Sequence, residues 1–451
     1  MNQVHLVADQ LRPAAAGTRE GILESAVQFD AHRPTLLAGP SPDSLPDHRA
    51  RFGPWPDTDR PVDRARRRTG SALLEHLADS GLAGRGGGHV AAAVKWRAVL
   101  AAGGGGTVVA NGAEGEPASA KDAALLIHRP HLVLDGLACA AAALGATRTV
   151  VWLHDGAISC HRAVAVAVDE RRAAGILEPA VQIMTGPDAY LSGESSAVVS
   201  AVSGGPALPQ FRRARGDTRG VDGSPILVHN VETLARVALV ARSQGSGAQD
   251  TSLVTVLAGG RRTVLELDPS TTVAAAVARA PWTGGRPQAV LLGGYGGSWL
   301  PWTTAADLPL DHDGLQAAGA GLGAGVIAPL PAQACGLTET AAVVDYLARA
   351  GAGQCGPCVF GLLAIADLLL DLAGGRGGRG HLRRLHRYAG QVAGRGACHH
   401  PDGAMRLVWT ALATFPQDIA AHTRGRCLHA DTPAVLPIPA QAQAAASGGL
   451  R

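Results

Sequence analysis

The chain has 451 residues, with Lys plus Arg at 40 against Asp plus Glu at 37 and a formal net charge of +3. That near balance carries no polyanion-binding footprint and excludes nucleic acid as a partner; the length predicts two to four domains. Only two of the basic residues are lysine, Lys95 and Lys121, and the only asparagines are Asn2, Asn111 and Asn230. In a chain so depleted, each remaining Lys or Asn marks work that Arg, Gln or Asp cannot do.

Residues 1–68 are rich in Pro, Asp and Arg, have weak periodicity and close on a basic run at 64–68, so they read as a variable, partly disordered leader. Asp9 interrupts any apolar run after the first residues, so no secretory signal opens the chain. From Ser71 the spacing of Leu73, Leu74, Leu77 and Leu82 predicts a helix that ends in a glycine loop, Gly84-Arg85-Gly86-Gly87-Gly88. A helix over 94–100, a buried strand over 107–110, a helix over 132–144 and a strand over 149–153 follow. A helix over 161–174 and a strand near 181–184 complete the series. This alternation predicts an α/β domain over 69–245 with a largely parallel sheet.

The segments TSLVTVL and RRTVLEL predict a two-stranded ribbon, followed by a short helix (TTVAAAVARA) and a strand (AVLLGG). Strand, strand, helix, strand within fifty residues suits a small β-grasp module over 250–320. The uncharged stretch between Asp313 and Glu339 is broken by Gly and Pro and reads as loop and strand rather than a membrane span. Helical periodicity over most of 325–436 predicts a C-terminal helix bundle, and the Ala/Gln/Gly-rich tail at 437–451 reads as disordered. Seven cysteines, odd in number and clustered, indicate a reduced cytoplasmic chain with a metal or cluster site rather than disulfides.

A glycine loop that feeds a helix can bring backbone N–H groups to a phosphate. Here it is followed by Lys95-Trp96, and the next strand ends at Asn111 in the segment NGAEGEP, where α/β proteins open their ligand crevice. In the order GRGG, KW, NGAEGEP, KD, GESSAVVSAVSGG and VHNVETLA, the chain resembles the flavin-binding, NADH-oxidising subunit of respiratory complex I and the diaphorase subunits related to it. The resemblance runs from about Ser71 to Cys398 and implies a Rossmann-like FMN-binding domain, a β-grasp domain and a helix bundle that holds a [4Fe-4S] cluster. It implies that Gly84, Arg85, Gly86, Gly87 and Lys95 hold the FMN phosphate and ribityl. Asn111 and Glu114 would line the flavin, with Tyr190, Gly193 and Glu194 opposite, and His229 and Asn230 would complete the site. Glu116, which in the family orients the nicotinamide of NAD(H), and Glu194 are the implied catalytic carboxylates, and Lys121 is implied to be structural.

The family's aromatic stacking positions for the dinucleotide are Val90 and Ala98 here, its further acidic residues are Ala113 and Ser195, and Phe211 lies near the third aromatic position. These departures bear on NAD(H) more than on FMN, and they leave open a subunit that exchanges electrons with a ferredoxin-like or other redox partner without NADH. Cys355-Gly356-Pro357-Cys358 followed by Cys398 matches the family's cluster region, but the family's further Cys, three residues earlier, is Ala352. Three thiols are compatible with an incomplete cluster or one that recruits Cys335 or Cys427. With His399 or His400 they also suit a Cys3His zinc site in a non-enzymatic subunit. Cys139 and Cys160 read as packing residues.

Overall fold

The computed structural model describes residues 25–28, 36–37, 42–53, 65–176, 179–211, 219–220, 223–243, 251–429 and 434–439. Among them run ten strands: β1 (Ser25–Gln28), β2 (Thr107–Asn111), β3 (Arg148–His154), β4 (Val181–Gly186), β5 (Ile226–Asn230), β6 (Ser252–Ala258), β7 (Arg261–Leu267), β8 (Ala289–Leu292), β9 (Ser298–Pro301) and β10 (Val326–Leu330).

The first sheet has the order β4-β3-β2-β5 and is parallel throughout. β2, β3 and β5 are short, mostly buried runs, as expected where helices cover both faces, whereas the edge strand β4 exposes Gln182 and Thr185. The chain steps outward from β2 to β3 and β4, then returns across β2 to place β5 on its other side. That reversal opens a crevice at the carboxyl ends of β2 and β5. The register sets Asn111 directly beside Asn230 at this point, so two of the three asparagines meet at the switch point of the sheet. Beneath it, helix Pro130–Leu144 packs on helix Val231–Ser243 at Gly136, where a Cβ would stand 1.8 Å from the Leu234 carbonyl oxygen. Only glycine permits that approach.

The second sheet, β1-β7-β6-β10-β8-β9, is mixed: β1 and β7, and β10 and β6, are parallel, and the other pairs antiparallel. The paired segments TSLVTVL and RRTVLEL form the antiparallel ribbon β6-β7 that their alternation predicts. Helices Gly336–Arg349, Leu363–Ala373, Arg379–Val392, His400–Thr414 and Pro416–His422 follow, with a π-helical turn at Pro357–Leu362. They share a core of Leu337, Val344, Leu369, Leu385 and Met405, and Trp299 of β9 packs edge-on against Phe415 at 5.2 Å. No described helix is long and apolar enough to cross a membrane.

Within the leader, expected to be partly disordered, the described residues are ordered. Leu36 and Leu37 are fully buried in the core of the first sheet, and Ser44 caps helix Leu45–Phe52 with Asp47 in a reciprocal capping box. Buried Asp43 accepts from Arg51 and from Arg129. An isolated Leu-Leu pair among prolines has no period to reveal it, yet supplies enough apolar area to dock the segment. At the other end, the Tyr295 hydroxyl donates to the Pro437 carbonyl at 2.5 Å; the tail beyond 439 and the rest of the leader lie outside the described residues.

Burial, reinforced by the adjacent Arg129 guanidinium, pushes the His128 imidazole down to about 4 from 6.5. Burial lowers His131 to about 4 as well. The unfolded chain therefore binds protons between pH 6.5 and 4 that the folded chain refuses. Stability should be complete above pH 6.5 and fall toward pH 4, by at most about 1.4 kcal/mol per pH unit for each imidazole. Urea unfolding at stepped pH tests this. His128→Gln should remove its share of the acid-side loss, and an unchanged pH profile would refute the assignment.

Candidate functional site

The site assembles at the carboxyl ends of β2 and β5. The glycine loop closes through Gly84 N–H to the Val90 carbonyl at 2.9 Å, and Gly87 adopts φ +89°, a left-handed conformation suited to glycine. A Cβ on Gly86 would lie 3.3 Å from the Asn230 Cβ, so the loop is laid directly on β5. Arg85 is anchored elsewhere: its N–H donates to Thr233 Oγ1 at 2.9 Å and its guanidinium to Ser252 Oγ at 2.5 Å. Its side chain thus reaches toward the second sheet rather than over the loop.

Lys95, on helix Ala92–Ala101, donates to the Val228 carbonyl at 3.2 Å. Burial pulls its ammonium below the usual lysine range, and the Glu194 carboxylate opposes that shift. A half-buried ammonium with three donors and one hydrogen-bond acceptor fits an anionic group. Glu194 is itself the N-cap of helix Ser195–Val202, accepting from Ser196 N–H at 2.9 Å, from Ala197 N–H at 3.2 Å and from the Ser196 hydroxyl. Its role as a free catalytic carboxylate is thereby narrowed: it caps a helix and faces a lysine.

Both asparagines are held through both ends of their amides. Asn111 Nδ2 donates to the Gly193 carbonyl at 2.8 Å while its oxygen accepts from Ala113 N–H at 3.3 Å. Asn230 Nδ2 donates to Asp122 Oδ2 at 2.6 Å and its oxygen accepts from Glu232 N–H at 2.9 Å. Each keeps a second amide hydrogen for a ligand. His229 is turned into the core, where its Nε2 accepts from Trp96 Nε1 at 3.0 Å. The indole N–H only donates, so the imidazole proton is on Nδ1. Burial and Lys95 hold this ring neutral. His229 therefore supports the helix that carries Lys95 instead of lining the crevice.

The acidic loop after β2 is locked against the segment 190–194. A Cβ on Gly115 would be 2.1 Å from the Tyr190 carbonyl oxygen, and one on Gly193 would be 2.1 Å from that of Ala113. Glu114 accepts from Ser119 Oγ at 2.5 Å and from the N–H groups of Asp122 and Ala123 at 3.3 Å each, so it caps helix Lys121–His128. Glu116 is buried; its carboxylate accepts from Ala118 N–H at 3.2 Å, Tyr295 N–H at 2.8 Å and the Tyr190 hydroxyl at 3.4 Å. Both glutamates line a cleft with Gly112, His154, Asp188 and Arg262. Tyr190 also stands 5.5 Å from the His400 ring and 6.0 Å from the Tyr346 ring, which joins the acidic loop to the C-terminal helices. Phe211 is 79% exposed.

Lys121, implied to be structural, is buried between Asp122 at 2.6 Å and Glu232 at 3.1 Å. Asp122, part of the KD motif, orients Asn230, a role that the sequence reading does not assign to it. Its signal is the adjacency of a rare lysine to an aspartate.

The Cys355, Cys358 and Cys398 thiols are neighbours. Burial, with Cys355 and Cys398 alongside, pushes Cys358 up to about 12. A cluster is larger than an ion and holds its thiolates further apart than a single metal does, and Cys358 with Cys355 and Cys398 beside it fits one. The fourth position, Ala352, has no ligating atom. His400 is buried with Nε2 2.8 Å from the Leu347 carbonyl, and His399 is exposed and pairs with Asp402. Cys335 and Cys427 group with His422 instead. Cys139 is buried in the first core; Cys160 is buried too and borders the cleft.

A parallel sheet with a glycine loop, lysine and paired asparagines at its switch point, followed by a helical region bearing a C-x-x-C thiol group, defines the class of flavin- and iron–sulfur-dependent electron-transfer oxidoreductases. Residues 77–239 match the sequence model of the Nuo51 FMN-binding domain, and residues 338–422 that of the NADH-ubiquinone oxidoreductase-F iron-sulfur binding region. The chain is 27% identical over 374 residues to the F subunit of NADH-quinone oxidoreductase from Streptomyces coelicolor, covering 78% of this chain and 83% of that protein. It is 28% identical over 380 residues to the F 2 subunit of the same enzyme in Rhizobium meliloti, covering 79% and 90%. Among solved structures, it is similar to a chain of an NAD+-reducing [NiFe]-hydrogenase in the air-oxidized state, with a TM-score of 0.69 and 27% identity over 81% of this chain and 65% of that one. The chain belongs to the family of the 51 kDa flavoprotein of NADH-quinone oxidoreductase, as a divergent member.

Gly193→Ala should force the loop carrying Asn111 and the segment at 190–194 apart, a destabilisation of about 1–3 kcal/mol. Thermal melting should show it, whereas Gly204→Ala, at a site with no atom within 4 Å, should cost only the strain of its positive φ. Equal melting temperatures for Gly193→Ala and the parent chain would refute the packing argument.

Proposed function

We propose that this chain holds FMN at the β2–β5 switch point and passes electrons between NAD(P)H, that FMN and an iron–sulfur centre at Cys355, Cys358 and Cys398 or a ferredoxin-like partner. The observation that carries the reading is the convergence of Lys95, Asn111 and Asn230 on one crevice beside the glycine loop. Bound FMN supplies hydride acceptance and one-electron release. Lys95 holds the phosphate by its ammonium, and the backbone of Gly86 and Gly87 approaches it without side-chain obstruction. Asn111 and Asn230 offer their second amide hydrogens to the cofactor. Glu194 keeps Lys95 charged, Glu114 lines the flavin, and Glu116 orients a nicotinamide. The second sheet is read as a β-grasp module and the C-terminal helices as the bundle for the cluster, with domains over 69–245, 250–320 and 325–436, except that β10, paired with β6 and β8, belongs with the second sheet. The reduced thiols suit a cytoplasmic setting.

A second reading is favoured by Val90 and Ala98, which stand where the family stacks a dinucleotide between aromatic rings. Each lost stacking partner costs on the order of 1 kcal/mol beyond its buried area. In that reading the flavin exchanges electrons with a ferredoxin-like partner and NADH is not a substrate.

Anaerobically purified protein should carry about one flavin per chain. Lys95→Ala should weaken its retention about ten- to a hundredfold, the loss of one charge-assisted contact of about 1.5–3 kcal/mol. Bleaching by NADH selects the first reading, bleaching by reduced ferredoxin alone selects the second, and unchanged flavin affinity in Lys95→Ala overturns the site.

Ala352→Cys supplies the missing thiol. Iron per chain should rise toward four, with stronger broad visible absorption; unchanged iron content would mean that Cys355, Cys358 and Cys398 do not form the cluster site.

A further inference from the structure

Outside the proposed flavin and cluster sites, the ends of the C-terminal helical region bring together three soft ligands. Cys335 precedes helix Gly336–Arg349, His422 ends helix Pro416–His422, and Cys427 follows five residues later. Among the described residues these three form the one group of His, Cys, Asp or Glu side chains whose ligand atoms all lie within 4.8 Å of one another. We propose that Cys335, His422 and Cys427 bind a single zinc ion as a Cys2His site, distinct from the Cys355, Cys358 and Cys398 thiols.

The spacing suits one ion. Zn–S and Zn–N bonds of about 2.3 and 2.0 Å at a tetrahedral angle put sulfur and nitrogen about 3.5 Å apart, and Cys335 Sγ stands 3.4 Å from His422 Nε2. Two thiolates and an imidazole are a zinc donor set, softer than magnesium or calcium prefers. The His422 ring is buried, and its Nδ1 has no partner. A thiol is thus the one polar contact of a buried imidazole, a poor compensation that a metal bond at Nε2 would repair.

Burial, with Asp418 and Cys427 nearby, pushes the Cys335 thiol up to about 11, so the ion itself has to displace the proton, and two contacts ease that step. Cys335 sits at the N-terminus of a fourteen-residue helix, where the helix dipole favours negative charge. His429 N–H donates to Cys427 Sγ at 3.3 Å. Asp418 braces both sides, accepting from Gly336 N–H at 3.1 Å and standing 3.3 Å from His429 Nε2. As two Zn–S bonds form, two thiol protons leave to solvent, and the fourth position is left to water. The ion would clamp the segment after His422 onto the helix that leads to Cys355. The proposal is independent of the flavin reading.

The test uses the full chain, reduced and stripped with a chelator, then titrated with Co2+ and back-titrated with Zn2+. One Co2+ with thiolate charge-transfer absorption and intense tetrahedral bands should bind and be displaced by Zn2+. That equivalent should vanish in Cys427→Ser and in His422→Gln but persist in Cys355→Ser. Retention in the first two variants, or its loss in the third alone, would overturn the assignment. A measurement on the unaltered chain guards against misfolded variants: Zn2+ should slow alkylation of Cys427 at least tenfold, and an equal rate with and without Zn2+ would overturn the site.

Discussion

A fully buried group of ions at the seam of the two sheets fixes the geometry on which the rest depends. Lys121 pairs with Asp122 and Glu232; Glu232 also accepts from Arg236 at 3.2 Å and from Leu253 N–H at 3.0 Å. Arg236 reaches Thr251, whose hydroxyl donates to Glu266 of β7. The group spans helix Lys121–His128, helix Val231–Ser243 and strands β6 and β7. Taking these charges from water is costly, and their mutual pairing offsets that cost only while every member is present. The second sheet is therefore held at one position and one angle against the first.

That seam is also what orients the crevice. Asp122 accepts from Asn230 with one oxygen and from Lys121 with the other, so the amide at the switch point is aimed by the ion group and not by a loop of its own. Arg85 runs from the glycine loop to Ser252 on β6. The loop, the asparagine and the second sheet consequently share one frame. Lysine at position 121 is suited to this place because its compact charge meets two carboxylates at once, whereas the planar guanidinium of arginine is longer and wider.

The alternating pattern is readable in the sequence because β2 and β3 are short, mostly apolar runs between helices, with the mixed segment β4 following the next helix. The ribbon β6-β7 is readable for its β-branched alternation. β10 is legible only as part of a loop-and-strand stretch: Val326–Leu330 contains a proline and lies among Gly and Pro, so its exact place is set by β6 and β8 on either side. At the site, the rare Lys95, Asn111 and Asn230 mark the crevice in advance. The capping duties of Glu114 and Glu194 do not show, because each depends on where a distant or adjoining helix begins. Its place in a motif assigns His229 to the crevice, but alternation along β5 turns it to the opposite face from Asn230. The grouping of Cys335 with Cys427 spans most of the helical region and has no local spacing to betray it.

Glu116 belongs by chain order to the first sheet, yet the group that receives its carboxylate is Tyr295 N–H, between β8 and β9. A Cβ on the adjoining Gly294 would be 2.5 Å from that carboxylate, so the contact is one of shape as well as hydrogen bonding. The consequence concerns divisibility. The segment that matches the flavin-binding domain alone would carry the acidic loop without its far wall, and Glu116 would keep Ala118 and Tyr190 as donors but lose Tyr295. The crevice is thus the joint property of two folding units, and a minimal fragment of this protein must extend at least through β10, the strand that joins β8 and β9 to β6, to keep it whole.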